Sequence, residues 1–360
     1  MYAMIPIKLF PIASVLPALA MICIGCTMNS SDEPITRDDH GRPRPSCGRT
    51  YDGRVSDQFP QLAPGMSAEW DDPVKLAASV NTNCLEDAVR ISACGEELYF
   101  MYAEDLLSEL GGAMLSFPNG TYVVNRTAGG PTEFSHPTFY ELGLGVDLSL
   151  DGKISFTLDH SKVYFHSNRA DNLGYSQGYN DYLDIYVAPV IGGVPGVARN
   201  LGKPVNSVYP DGEAGLHPDG VTLYFASLRP GPLGYHGGAG QGNLWRSTWN
   251  GSAWSEPEFL PFPINRPASE QKQPSFASHD GTLYMYFVSD HLHLDPLIVG
   301  SAIYRSTVSE SGELGVPEPV IRGIVGEPSL TADGRNLYFV HVLHDAAGGF
   351  GSDIWYVGRK

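Results

Sequence analysis

The chain has few charged residues, and positive charge is especially scarce. Only 18% of its 360 residues are charged, and 23 Lys and Arg stand against 40 Asp and Glu, giving a formal net charge of −17. A chain this acidic does not attract a polyanion through its overall field. We therefore expect no binding of nucleic acid.

Cysteine is also rare, and the longest apolar run is short. Leu9 to Ile24 is an apolar stretch of 16 residues, whereas a membrane-spanning helix needs about 20. Lys8 is the only charge before it, and the stretch ends Cys23-Ile24-Gly25-Cys26. This segment has the features of an export signal.

The end of that segment resembles the lipobox of bacterial lipoproteins, which implies that Cys26 carries the lipid. An ordinary cleaved signal and an uncleaved anchor are the alternatives, and all three place the protein outside the cytoplasm, in the bacterial periplasm or at the cell surface. We predict a signal over 1–26, a flexible tether over 27–65 that is rich in Ser, Asp, Arg and Pro, and one domain over 66–360. Contact with a membrane is expected only through the N-terminal lipid anchor.

Cys47, Cys84 and Cys94 remain outside the signal. An oxidising compartment permits a disulfide, and three cysteines leave one over. Cys84 and Cys94 flank a predicted strand, so an extended chain of roughly 30 Å would separate them and they are not expected to pair. No C-x-x-C motif occurs outside the signal, so structural zinc lacks support and we predict no cofactor.

Glycine, proline and aromatic residues are abundant and follow a repeat. The chain has 41 Gly, 28 Pro and 11% aromatics, which favours short strands joined by tight turns. A turn followed by a Tyr-rich strand recurs five times, ending at Phe100, Phe165, Phe225, Phe287 and Phe339. Three of these turns contain Asp-Gly, the dipeptide that suits a tight hairpin. Four strands per repeat predict a β-propeller, an all-β fold.

The segment Glu327-Pro-Ser-Leu-Thr-Ala-Asp-Gly-Arg-Asn-Leu-Tyr-Phe339 and the later Ser352-Asp-Ile-Trp355 resemble the WD-like repeats of the TolB-like β-propeller family. The resemblance covers roughly residues 66–360. It implies a propeller fold and leaves the activity open, because such propellers serve many functions.

The two ends of the repeat region predict how the ring closes. Trp70-Asp-Asp-Pro73 precedes Leu76 and Asn81 at the same spacing at which Trp254-Ser-Glu-Pro257 precedes Leu260 and Asn265. The N-terminal copy is therefore an outer strand without inner strands of its own, and the C-terminal blade lacks one. We predict five four-stranded blades, with six possible if Thr121 to Leu150 contains another, and a ring closed by the N-terminal strand.

Polar residues recur at the start of each predicted inner strand and at the end of each second strand. Both sets face one mouth of the axial funnel. The candidate ligand-binding residues are Asp87, Lys153, Glu213, Gln273, Glu327, Arg169, Arg229, Asp290 and His344. The alternative is structural, since acids at strand starts often accept hydrogen bonds from backbone N–H groups. His291 and His293 are weak metal candidates without a third ligand, so no metal site is predicted.

Three hypotheses for function follow. The first is a non-catalytic binding module that engages a saccharide or an envelope protein at the funnel. The second is a carbohydrate-active enzyme, a glycoside hydrolase or lyase, that uses Asp87, Glu213 and Glu327, because glycoside hydrolysis needs paired carboxyl groups. The third is a purely structural propeller. The first hypothesis is the main expectation, so we expect a protein without enzymatic activity.

Overall fold

The computed structural model describes residues 59–82, 84–103, 120–142, 151–174, 183–232, 242–290, 300–344 and 350–360. Within these ranges the chain is almost entirely β-structure, with a short 3-10 turn at Met66–Ala68. The predicted signal with Cys26, most of the predicted tether, and His291 and His293 lie outside the described residues.

Two short N-terminal strands precede the five blades. The N-terminal strands are β1 (Gln61–Leu62) and β2 (Val74–Lys75). Blade 1 contains β3 (Leu85–Ile91), β4 (Glu97–Ala103), β5 (Gly120–Asn125) and β6 (Thr138–Phe139). Blade 2 contains β7 (Gly152–Phe156), β8 (Lys162–Ser167), β9 (Asp184–Ile191), β10 (Val194–Pro195) and β11 (Arg199–Asn200).

Blades 3 to 5 follow the same plan. Blade 3 contains β12 (Asp211–Leu216), β13 (Thr222–Ser227), β14 (Asn243–Thr248) and β15 (Glu258–Phe259). Blade 4 contains β16 (Gln271–His279), β17 (Thr282–Ser289), β18 (Ser301–Val308) and β19 (Glu318–Gly323). Blade 5 contains β20 (Val325–Leu330), β21 (Asn336–His344) and β22 (Phe350–Gly358).

Each blade is an antiparallel sheet whose first strand lies innermost, and there are five sheets. The inner strands β3, β7, β12, β16 and β20 contact one another in that order, and β20 contacts β3 again. The five-bladed propeller predicted from the repeat is confirmed. Residues 120 to 139 supply the third and fourth strands of blade 1, so they contain no sixth blade.

The ring closes through the N-terminus, as predicted. β2 pairs with β22 and is the outer strand of blade 5. Trp70 forms a β-bridge with Arg359 and is fully buried, with the Arg359 guanidinium 4.5 Å above its ring. β1 pairs with β19 of blade 4, so sheet pairing begins at Gln61, inside the segment predicted as tether.

The core is built from the Tyr-Phe pairs of the second strands. Phe100, Phe165, Phe225, Phe287 and Phe339 are each 0% exposed, and the tyrosines that precede them are buried as well. Neighbouring residues of a strand point to opposite faces, and each blade is covered on both faces by its neighbours. Consecutive apolar residues are therefore both buried, and each Phe stabilises the fold by roughly 1.5–3 kcal/mol.

Asparagine side chains fasten the outer connection to the third strand in three blades. The Asn81 amide donates to the Ile354 carbonyl at 2.9 Å and its oxygen accepts from the Ile354 N–H at 2.7 Å. Asn206 makes the same pair of contacts with Ile185, and Asn265 makes it with Leu244. One amide thus supplies both hydrogen bonds that a neighbouring strand would make.

Cys84 and Cys94 are both disulfide-bonded. The seven residues of β3 lie between them, a rise of about 23 Å. Cys47 lies outside the described residues.

Candidate axial carboxylate site

Every inner strand carries a bulge at the same point. Lys153, Glu213, Gln273 and Glu327 have φ angles of 49°, 55°, 61° and 57°, and Ala88 in blade 1 has 53°. The pairing of each inner strand with its second strand shifts register around that residue. A left-handed backbone costs a residue other than glycine roughly 1–2 kcal/mol. Five such residues in one ring are therefore a feature that the surrounding fold maintains.

Four of the five predicted inner-strand residues occupy this ring, and the fifth does not. In blade 1 the ring position belongs to Ala88, and Asp87 stands one residue earlier, in register with Gly152, Gly212, Lys272 and Gly326. Counting back from the hairpin turn misplaces blade 1 by one residue. In blade 1 the ring position is Ala88, so no polar side chain marks it in the sequence.

Glu327 is the centre of the ring and is 3% exposed. Its carboxylate forms an ion pair with Lys153 of blade 2. It accepts a hydrogen bond from the Gln273 amide of blade 4 at 2.5 Å, and the negative charge of the Glu213 carboxyl of blade 3 acts on it. Side chains from four blades therefore meet at one carboxyl group on the axis.

The three carboxyl groups of the axis hold their protons to unusually high pH. Burial, followed by the negative charge of Glu213, raises the pKa of Glu327 to about 7. Burial and the charge of Glu327 raise the pKa of Asp87 to about 7. Burial also raises the pKa of Glu213, opposed by the positive charges of Lys153 and Lys272. Asp87 and Glu213 are only partly buried, so solvent reaches them.

Two further residues complete the site and were missed from the sequence. His166 on β8 accepts a hydrogen bond from the Glu213 N–H at Nδ1 (3.2 Å), and burial lowers its pKa to about 4. It is therefore neutral at pH 7. Lys272, beside the ring in blade 4, lies 3.1 Å from the Glu270 carboxylate. His166 is part of the repeated aromatic strand, which gave no signal for a polar role, and Lys272 adjoins a predicted residue.

A second polar ring lies two residues earlier on the inner strands and has a structural role. Glu86 accepts from the Thr82 N–H at 2.8 Å, Asp211 from the Ser207 N–H at 2.6 Å, and Gln271 from the Arg266 N–H at 3.2 Å. These contacts fix the segment that enters each blade. The structural alternative that the sequence offered for the axial residues thus describes this ring.

The predicted residues at the ends of the second strands form ion pairs and hydrogen bonds with neighbouring protein groups. Arg169 pairs with Asp151 at 2.6 Å and Arg229 with Asp211 at 2.6 Å. Asp290 accepts hydrogen bonds from the Ser269 hydroxyl and the Glu270 N–H at 2.6 and 2.7 Å. These three residues are not brought to the Glu327 cluster by any contact among the described residues. The side chain of His344 lies outside the described part of the chain.

In the described ranges, no group of three or more His, Cys, Asp or Glu residues is arranged to hold a metal ion. The same ranges contain no helix long and apolar enough to cross a membrane.

Comparison with known proteins identifies the fold. No family model matches the chain, and no curated protein matches it. A solved structure described as a glycoside hydrolase has a TM-score of 0.51 at 8% identity, covering 78% of this chain and 90% of its own. A thermostable family-43 glycoside hydrolase has a TM-score of 0.49 at 12% identity, covering 79% and 92%. The family-43 endo-arabinanase from Bacillus licheniformis has 0.44 at 12% identity, covering 78% and 95%.

These neighbours correct two expectations. The TolB-like assignment is wrong, because the solved structure that matches with a TM-score of 0.51 is a glycoside hydrolase. The main functional expectation, a non-catalytic binding module, is wrong for the same reason, and the enzyme alternative is better supported. The turn and Tyr-Phe strand reflect the packing of a propeller blade, which is common to unrelated propeller families.

Proposed function

We propose that this protein hydrolyses glycosidic bonds of a saccharide at the axial carboxylate site. The observation that carries the proposal is the convergence of Glu213, Glu327 and Asp87 from three blades, with the pKa of each carboxyl raised by burial. Glycoside hydrolysis needs one carboxyl group that is protonated near neutral pH and a second that is ionised. The glycoside hydrolase of similar fold supports this choice.

The contacts of the site favour Glu327 as the general acid. Its pKa of about 7 leaves a large protonated fraction at neutral pH. Proton transfer to the oxygen of the leaving sugar would turn it into a carboxylate, and the ion pair with Lys153 stabilises that charge. The Gln273 amide donates a hydrogen bond to the same carboxyl and holds its orientation.

Asp87 is the second carboxyl group in this proposal. It interacts electrostatically with Glu327, and none of the hydrogen bonds among the described residues joins the two side chains. The separate position of Asp87 suits a carboxylate that acts at the anomeric carbon while Glu327 protonates the leaving oxygen. The Oε2 atom of Glu213 is buried without a hydrogen-bond partner among the described residues, so the site has an acceptor ready for a sugar hydroxyl.

The test is release of reducing sugar from a panel of polysaccharides that includes arabinan and xylan. We expect the wild type to cleave at least one member and Glu327→Gln to lower kcat by ~10²–10⁴-fold, the usual contribution of a general acid. Glu86→Gln is the matched control, because Glu86 is a buried carboxyl of the structural ring whose pKa burial raises to about 8. Cleavage of no polysaccharide by the wild type, or equal rates for wild type and Glu327→Gln, would contradict the proposal.

The export signal gives the proposed site of action. If the segment that ends at Cys26 directs export, the hydrolase would act outside the cytoplasm. The N-terminal lipid would hold it to a membrane. The acidic composition does not oppose this, since neutral and weakly charged polysaccharides require no positive field.

A further inference from the structure

A cavity lies between blades 2 and 3, at the opposite end of the ring from the carboxylates. Its walls include Lys162 and Tyr164 of β8, Arg199 of β11, and Trp249 and Trp254 near the end of blade 3. Ser155 and Gly215 on the inner strands lie beyond the bulges toward the hairpin turns, and Tyr164 pairs with Ser155. The cavity therefore opens on the face that carries the hairpins, away from the strand starts that hold Glu213 and Lys153.

One wall of this cavity is aromatic and fixed in position. Trp249 and Trp254 form a β-bridge, their ring centroids lie 5.6 Å apart, and the Trp254 ring meets Tyr164 edge-on at 6.2 Å. The Trp249 N–H donates to the Val221 carbonyl at 2.8 Å. Both tryptophans are partly exposed. Flat, rigid aromatic faces at a concave site suit the C–H surface of a sugar ring.

The other wall presents two cations without counterions. Lys162 and Arg199 are exposed and form no ion pair with any described residue. They lie on strands on either side of β9, where their backbones pair with Pro189 and Val187. The chain has only 23 Lys and Arg against 40 Asp and Glu. Two free cations facing one cavity in so acidic a chain therefore attract an anionic group.

The remaining polar groups of the cavity are already used within the protein. The Asn200 amide donates to Asp184 at 2.7 Å and its oxygen accepts from the Gly202 N–H at 2.7 Å. The Thr157 hydroxyl donates to Asp159 at 2.7 Å. The free recognition groups are thus the two cations and the aromatic faces. With a volume of about 250 Å³, the cavity holds a ligand smaller than the usual range of ~300–1,000 Å³.

We infer that this cavity is a binding site for a sugar unit that carries an anionic substituent, separate from the proposed catalytic site. The tryptophans stack against the ring, and Lys162 and Arg199 pair with its carboxylate or sulfate. A uronic acid and a sulfated sugar share this chemistry. Such a site would hold the protein on an acidic polysaccharide whether or not the axial site cleaves it.

Isothermal titration of the purified protein with trigalacturonate tests the inference, with a sulfated disaccharide as the second arm. We expect measurable binding of at least one anionic probe and at least tenfold weaker binding of methyl-esterified trigalacturonate. The double variant Lys162→Met/Arg199→Met should lower affinity for the anionic probe at least tenfold without changing the melting temperature, because both side chains are exposed. Trp254→Ala should also abolish binding.

Two controls separate this site from the axial one. Arg335→Met removes an exposed cation in blade 5, 72% exposed, and should leave binding unchanged. Glu327→Gln should leave it unchanged as well. Absence of binding to either anionic probe, or equal affinity in the wild type and the Lys162→Met/Arg199→Met variant, would overturn the inference. Binding lost in Glu327→Gln but kept in that double variant would move the ligand to the axis.

Discussion

At the scale of single residues, the site depends on carboxyl groups that are hard to ionise. Glu327 and Asp87 each have a pKa of about 7, because burial removes the water that would stabilise the charged carboxylate. Lys153 offsets part of that cost through its ion pair with Glu327. Groups whose pKa values are moved toward neutrality are typical of sites that transfer protons.

The first prediction is a narrow bell-shaped pH dependence of kcat/KM, with its maximum near pH 7. The acid must be protonated and the second carboxyl ionised, and both pKa values are about 7. Glu213→Gln should move the basic limb to lower pH, because the Glu213 charge raises the pKa of Glu327. The profile is measured on a polysaccharide that the wild type cleaves. A flat profile between pH 5 and about 9 would argue against paired carboxyls.

The second prediction concerns stability and compares wild type with Glu327→Gln. The pKa of Glu327 is about 7 in the folded protein against an ordinary value of 4.5, so the folded state keeps a proton that the unfolded chain releases. Below pH 4.5 Glu327 is protonated in both states and does not reduce the free energy of unfolding. As the pH rises from 4.5 through 7, the unfolded chain releases this proton more readily than the folded protein does. The free energy of unfolding therefore falls over this range, by about 3 kcal/mol in all. Urea unfolding at pH 5 and pH 8 should show wild type losing stability relative to Glu327→Gln. A constant difference would place the raised pKa in doubt.

At the scale of strands, closure of the ring depends on a short N-terminal segment. β2 contributes only two residues to the sheet of blade 5, but its surroundings add more. Asn81 bonds both backbone groups of Ile354. Glu69 accepts hydrogen bonds from Arg305 at 2.7 and 2.9 Å and from Arg359 at 3.0 Å. The closing contact is thus made by side chains as much as by backbone pairing.

The third prediction is that removal of residues 1–84 lowers the melting temperature sharply or causes aggregation. The deletion exposes the edge of β22 and uncovers the surface that Trp70 and Leu76 bury. Removal of 1–58 is the control, since it leaves β1, β2 and Asn81 in place. Thermal unfolding of the two truncated proteins is compared with that of the full chain. If both melt alike, the ring closes by other contacts.

Blade boundaries were predictable from the sequence because a hairpin needs Gly at a positive φ, as at Gly220 and Gly334. The buried Tyr-Phe pairs gave a second, independent indication of where the second strand of each blade lies. The bulges were not predictable. Their extra residue belongs to the pairing of two strands, and Ala88 carries no side chain that would mark it. The placement of Arg169 and Arg229 was missed because their partners Asp151 and Asp211 lie 18 residues away in sequence.

At the scale of the whole molecule, the negative net charge is compatible with the predicted export and lipid anchor. A net charge of −17 favours a soluble domain that does not adhere to anionic surfaces. Lipid at the N-terminus would then hold the protein near a membrane that its surface does not attract. The local exception is the pair Lys162 and Arg199, two exposed cations that form no ion pair with any described residue.

The fourth prediction is that the mature protein begins at an acylated Cys26. Only there does a small residue precede a cysteine at the end of an apolar run. Mass spectrometry of the N-terminal peptide from cells should show the added acyl mass, and Cys26→Ser should release the protein from the membrane fraction. An unmodified N-terminus at another position would exclude lipidation.

The pairing of β2 with β22 in blade 5 has a consequence for the order in which the protein folds. Lys360 donates its backbone N–H to the Glu69 carbonyl at 2.8 Å, and the partners of β2 are Trp355 and Tyr356. β2 therefore has no partner strand until β22 has formed. Four blades can assemble one after another, but the ring stays open until β22 pairs with β2. A chain in which β22 is missing would therefore leave the ring unclosed and Trp70 uncovered.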